Sequence, residues 1–303
     1  MKQFNKIVGV LVIFVIGFLL VDVLVGELLA IVRNKLPNDG ERVAKSEFIL
    51  NKMAADVIVV GSSKAQCNYD CDVMRRYYPN QSIYNCGIDG QKYFYTTLSL
   101  LYMLDRYTPK VIIWEIADFA PDKHEDLSLL YPYYSDNKTI KSVIDYNHPS
   151  LRFMIWLNAY KYNGTAARLL RALFAKDPGT NGYNALPKHN VSKSCKTRRI
   201  LVDTKSSDKH PNIDRVKVDL FITIVEAAKK RRIRLYVVNS PVLNASGDAF
   251  TKDICDKYDV PFFDFSNNAA FIQNNEYWYD TVHLNSKGAS LFTELLMNQI
   301  KNV

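Results

Sequence analysis

Apolar and polar positions change their rhythm twice along this chain. Residues 7–21 (Ile-Val-Gly-Val-Leu-Val-Ile-Phe-Val-Ile-Gly-Phe-Leu-Leu-Val) carry no charge, and beyond Asp22 the apolar character resumes to Val32, broken by Glu27. A bilayer core takes about 20 apolar helical residues, so the segment predicts a spanning helix if Asp22 lies near one interface. The run is long for a secretory signal, and no small-x-small cleavage site follows it. Lys2 and Lys6 favour a cytoplasmic N-terminus, a bias that Arg33 and Lys35 on the far side oppose. We read residues 1–34 as an uncleaved signal-anchor, residues 35–54 as a polar, partly helical stem, and the rest as extracytoplasmic.

From residue 55 the rhythm becomes an alternation. Strand-length apolar runs rich in Val, Ile, Phe and Tyr fall at 56–61, 82–86, 110–116, 233–239 and 260–264. Helical patterns fall near 64–77, 91–106, 213–231, 247–258 and 286–300. Such alternation predicts an α/β domain over 55–301, with a parallel sheet covered on both faces. The strands read as continuous apolar runs, as buried parallel strands do. Residues 119–210 interrupt the alternation. They hold Tyr-Pro-Tyr-Tyr at 131–134, an apolar helical stretch around 150–174 and a polar stretch over 176–210. We read them as one insertion after the third strand, acting as a lid or substrate-side subdomain.

Charge narrows the range of partners. The formal net charge of +8 suits a face working near anionic polymers or lipid headgroups. Lys and Arg are scattered except for Lys229, Lys230, Arg231, Arg232 and Arg234, which complement the C-terminal dipole of a helix and do not mark a nucleic-acid site. Five cysteines (Cys67, Cys71, Cys86, Cys195, Cys255) show no metal-finger spacing, so no metal is expected. If the domain is extracytoplasmic, one disulfide could form, with buried thiols expected for most. No glycine-rich phosphate loop is present, and no cofactor is expected.

The candidate chemistry lies at the two ends of the α/β domain. Gly61-Ser62-Ser63 follows the first strand, at the sheet edge where open α/β folds place their ligand crevice. A serine hydroxyl becomes a nucleophile only with a base beside it and a third group to orient that base. The stretch Trp278-Tyr279-Asp280-Thr281-Val282-His283-Leu284-Asn285 offers both. A separation of three residues brings Asp280 and His283 to one side of the chain. The carboxylate can then hold the imidazole tautomer while the other ring nitrogen faces serine. Alone, the serine fits a turn or helix cap, and the Asp-x-x-His fits a capped surface histidine. Together they predict a triad of Ser63, His283 and Asp280.

The order of these blocks resembles the SGNH (GDSL-type) hydrolase superfamily over most of residues 55–301. Gly61-Ser62-Ser63 is similar to that family's Gly-Asp-Ser, with Ser63 at the nucleophile position and Ser62 at the aspartate's. Asn85-Cys86-Gly87-Ile88-Asp89-Gly90 follows the second strand, where the family supplies an oxyanion-hole glycine; Gly87 matches it. Asp280 and His283 match the last block, trailed by Leu284-Asn285-x-x-Gly288. The third block, Gly-x-Asn-Asp, has no counterpart, because the chain reads Trp114-Glu115-Ile116-Ala117-Asp118. Both departures recur in membrane-anchored, envelope-facing branches, such as the D-alanine-transfer protein and the alginate O-acetylation proteins. The resemblance implies a flavodoxin-like three-layer α/β/α sandwich. It further implies a serine esterase or O-acyltransferase whose substrate is an acylated, O-acetyl-bearing surface glycan. The amides of Ser63 and Gly87 would hold the oxyanion, and Asn85, Asp118 and Asn239 are candidate substrate contacts. The alternative is a glycan-binding or assembly protein that keeps this fold without turnover.

Overall fold

Five parallel strands form the centre of the α/β region: β1 (Val57–Val60), β2 (Ile83–Asn85), β3 (Val111–Glu115), β4 (Arg234–Asn239) and β5 (Phe262–Asp264). They are ordered β2-β1-β3-β4-β5 in a computed structural model that describes residues 1–36, 41–122, 125–175, 179–188, 212–243 and 249–303. This is the flavodoxin-like order, in which the chain reverses its winding between β1 and β3. The expected strands and fold class are those observed.

The described residues divide into two units. One comprises Met1–Glu47 and Leu127–Asp177, the other Phe48–Asp126 and Pro178–Val303.

In the sheet-containing unit, alternate side chains of each strand point to opposite faces. Val57, Val59, Ile113 and Val238 share a buried cluster with Phe292 and Leu296 of the C-terminal helix Ser286–Ile300. Trp114 points the other way, 5.6 Å from the Phe221 ring and 5.9 Å from that of Tyr93. Those rings belong to helices Arg215–Lys230 and Tyr93–Arg106, so both faces are covered. Asp56 ties the strand starts together. Its carboxylate takes the Ser82 amide at 2.9 Å and hydroxyl at 2.8 Å and pairs with Lys110 at 2.9 Å. The Lys110 bond and then the Ser82 bonds lower its pKa to about 2.

The helix expected over 64–77 is two helices, Ser63–Asn68 and Cys71–Tyr77. Asp70 starts the second by accepting from the Asp72 and Val73 amides, as an N-cap does. Cys67, Cys71, Cys86 and Cys255 are buried thiols, while Cys195 lies outside the described residues.

The other unit is helical. Lys2–Asn34 is one 33-residue helix whose most apolar window has a mean hydropathy of 3.1. At 1.5 Å per residue it is about 50 Å long, enough to cross a bilayer. Asp22, Gly26, Leu29 and Val32 are its buried residues, and their spacing puts them in one stripe. Near its end Arg33 pairs with Glu47 at 3.4 Å, and the Tyr133 hydroxyl donates to the same carboxylate at 2.7 Å. Residues 127–175 contribute helices Lys138–Asn147, Asn158–Lys161 and Ala166–Ala172. Most of the polar stretch 176–210 lies outside the described residues, but 179–188 belong to the sheet-containing unit.

Candidate active site

The turn after β1 is shaped by glycine. Gly61 has φ +150°, and a Cβ there would lie 2.8 Å from both Ala65 Cβ and the Glu115 carbonyl oxygen. Only glycine accepts that conformation and that contact. The chain therefore folds sharply from β1 into helix Ser63–Asn68, leaving the Ser63 side chain half-buried at the C-terminal edge of the sheet. The Ser63 amide makes no hydrogen bond among the described residues, so it is open to an acceptor.

The partner residues come from a tight loop before the C-terminal helix. The Tyr279 amide donates to the His283 carbonyl at 2.9 Å and closes the loop. Asp280 Oδ1 accepts from the Val282 and His283 amides, each at 2.8 Å, while Oδ2 lies 2.8 Å from His283 Nδ1. One carboxylate thus shapes the loop and orients the ring within it. His283 Nε2 lies 2.8 Å from Ser63 Oγ. With the proton on Nδ1 directed at Asp280, Nε2 accepts from the serine hydroxyl. Burial pushes the Asp280 pKa up, but the bond from the ring and those from the two amides outweigh it. The carboxyl is held below its ordinary range.

Neither a protein-family model nor a curated protein sequence matches this chain. Among solved structures it is similar to a Bacteroides fragilis protein provisionally described as an acylhydrolase. The two are 13% identical with a TM-score of 0.37, over 80% of this chain and 86% of that one. A gut microbial diltiazem-metabolizing enzyme is 11% identical with a TM-score of 0.35, over 82% of this chain and 47% of that one. Likenesses this distant assign no activity.

The remaining candidates are placed differently. Gly87 donates its amide to Asn85 Oδ1 at 2.9 Å, inside the protein. Asn85 is fully buried, and its Nδ2 donates to the carbonyls of Ala65 at 2.7 Å and Tyr69 at 3.2 Å. The pair therefore braces the helix that carries Ser63. Space requires glycine at 87, because a Cβ there would lie 2.3 Å from the Gln66 amide nitrogen. We expect Gly87→Ala to cost about 1–3 kcal/mol of stability through overpacking and to slow serine-directed labelling at least tenfold. Denaturant unfolding and labelling rates would check both. Asp118 is exposed and accepts from the Ala120 amide at 3.1 Å. Asn239 is half-buried at the end of β4. Neither hydrogen-bonds to Ser63, Asp280 or His283.

Two further buried polar residues organise the site. Asn68 is fully buried; its Nδ2 donates to Ser240 Oγ at 3.0 Å and its Oδ1 accepts from the Leu284 amide at 2.9 Å. It thereby joins the Ser63 helix to the residue following His283. Asn68→Ala would leave that buried amide without its acceptor, and we expect a loss of about 1–3 kcal/mol in denaturant unfolding. Glu115, buried at the end of β3, pairs with Lys64 at 2.5 Å and accepts from the Ser240 amide at 3.0 Å and from the Tyr69 hydroxyl. Burial and then the adjacent Glu115 charge push the Tyr69 hydroxyl well above its ordinary pKa, so it remains a donor. No spacing rule would pick out Asn68, since its side-chain partners lie up to 216 positions away.

Residues 179–188 complete the surroundings. Asn181 offers its carbonyl to the Asn85 amide at 2.8 Å, the Asn184 amide donates to the Gln66 carbonyl at 2.9 Å, and Leu186 accepts from the Ser286 amide at 2.8 Å. A cavity of about 290 Å³ lies at the other end of the sheet, against Arg234, Tyr236 and Asp259, and takes no part in this arrangement.

Proposed function

We propose that this chain is a membrane-tethered serine esterase or O-acyltransferase of the SGNH type, acting outside the cytoplasm on an acylated envelope or surface glycan. The observation that carries the reading is the continuous relay from Ser63 Oγ to His283 to Asp280, with both contacts at 2.8 Å. Ser63 Oγ forms a bond to the acyl carbon as its proton passes to His283 Nε2. Asp280, held ionised, stabilises the resulting imidazolium. His283 then returns the proton to the leaving sugar oxygen as the C–O bond breaks, and an acyl-serine remains. Water at the second step gives deacylation, and a sugar hydroxyl gives transfer. The open Ser63 amide supports a role as oxyanion donor. The glycan substrate rests on the apolar N-terminal helix, the basic charge and the family resemblance, which are associations and not site chemistry.

A second reading is a glycan-binding or assembly protein without turnover. It is favoured by the Gly87 amide, which is directed at Asn85, and by the missing third-block asparagine, which in the family donates to the oxyanion. Loss of one oxyanion donor costs roughly 100- to 1000-fold in rate. Fluorophosphonate labelling decides between the two. The enzyme reading expects labelling of the wild type that Ser63→Ala abolishes, together with acetate release from an O-acetylated glycan. A wild type that takes no label and leaves an aryl acetate intact would establish the binding protein instead.

A further inference from the structure

The helix Lys2–Asn34 holds a carboxylate at a depth that requires explanation. Its charge-free run, residues 7–21, covers about 22 Å at 1.5 Å per residue, short of a hydrocarbon core about 30 Å thick. With Lys6 at one edge, the core extends about another turn and a half, to the neighbourhood of Gly26. Asp22 then lies within it. A carboxylate so placed must be satisfied by protein donors. Asp22 is buried and accepts from the Asn158 amide at 2.8 Å, the Ala159 amide at 2.6 Å and Asn158 Nδ2 at 3.3 Å. One turn on, a Cβ at Gly26 would lie 2.3 Å from Asn158 Cγ, so the Asn158 side chain lies directly against the first helix's backbone at that level. Residues 158 and 159 therefore share the depth of Asp22.

The chain on either side of them is apolar on its open surface. Phe153, Met154 and Trp156 precede them, and Leu170, Leu173 and Phe174 follow; Phe153 is 66% exposed, Trp156 62% and Phe174 87%. Six large apolar side chains grouped on one short segment are unusual for a water-facing surface. The second half of the first helix likewise exposes Leu24, Leu28 and Ile31. Charge points to the same surroundings. Residues 148–175 contain Arg152, Lys161, Arg168 and Arg171 and no Asp or Glu. Arg171 pairs with Glu41 at 2.8 Å, and Arg152 lies 4.7 Å from the Phe153 ring centre. Basic residues interleaved with aromatic and aliphatic ones are the pattern of a helix lying in an anionic membrane interface.

We propose that residues 151–174 are a second membrane element. They seat in the headgroup and upper acyl region of an anionic leaflet, the one that meets the C-terminal end of the first helix. The proposal rests on reading that helix as membrane-spanning, and the test separates the two. The full chain, in nanodiscs of mixed phosphatidylcholine and phosphatidylglycerol, carries its own probe. Trp114 and Trp278 are fully buried, which leaves Trp156 as the tryptophan available to lipid. Lipids brominated high in the acyl chain should quench part of the emission, and Trp156→Phe should abolish that quenched component. Equal quenching of wild type and Trp156→Phe, or quenching of the Trp156 component by aqueous iodide instead, would overturn the proposal while sparing the spanning helix. Release of the full chain from membranes by alkaline carbonate would overturn both.

Discussion

We expect Ser63→Ala to lower kcat/KM on an aryl acetate by about 10,000-fold or more, and His283→Ala to lower it by a similar factor. In the proposed mechanism the two side chains make one device, because Ser63 Oγ would be a weak nucleophile until His283 Nε2, 2.8 Å away, takes its proton. Removing either partner abolishes the same step, so the double variant should lose little more than each single one. A loss in the double variant close to the product of the two single losses would mean that the residues act independently and that the relay is not the catalytic unit. Both variants should fold. Ser63 is half-buried on the first helical turn, and the His283 side chain is 19% exposed in its loop, so neither truncation opens a large core cavity. Steady-state kinetics beside thermal unfolding curves checks the two claims together.

Asp280→Asn has the second-largest expected effect, a fall in kcat of roughly 1,000- to 10,000-fold with little change in fold. The amide keeps an oxygen to accept from the Val282 and His283 amides, so the loop survives. Its NH₂ group, however, faces His283 Nδ1 and favours the tautomer with Nδ1 bare and Nε2 protonated. Nε2 then cannot accept the serine proton. Asp280→Ala would lose the loop bonds as well, and should fall further in stability than Asp280→Asn. The pH dependence follows from the lowered Asp280 pKa. A carboxyl whose folded pKa is depressed adds stability above the unfolded carboxylate pKa, and that stability drains away as pH falls through the folded value. Wild type should therefore lose a stabilising increment below about pH 4 that Asp280→Asn never had. Denaturant unfolding of both proteins from neutral to acid pH would reveal it, and parallel curves would contradict it.

The sheet was legible because its evidence is local. Each apolar run, such as Val57–Val60 or Val111–Glu115, declares a buried parallel strand within its own few residues. The break at Asp70 was not legible. The apolar pattern continues through 64–77, and the competing signal is the Asp70 carboxylate taking the Asp72 and Val73 amides. Asp280 and His283 could be paired on paper because only three positions separate them. Gly87 differs from that pair. Its place after the second strand suits an oxyanion donor, but its amide direction depends on Asn85, whose rotamer is set by the Ala65 and Tyr69 carbonyls.

By itself, then, the order of residues determined the strand sequence and most of the helices that flank it, the apolar first helix, the sharp Gly61 turn and the loop that holds Asp280 against His283. These follow from hydrophobic period, backbone freedom and short-range spacing, which act over a few residues. Only the tertiary structure decided that Ser63 Oγ and His283 Nε2 stand 2.8 Å apart across 220 positions. It also decided that Asn68 ties their elements together, that Glu115 receives Lys64, and that Asp22 finds its donors at Asn158 and Ala159. The physical reason is that a buried polar group takes whichever partner the packing brings within reach, and that partner is set by the whole fold rather than by its neighbours in sequence.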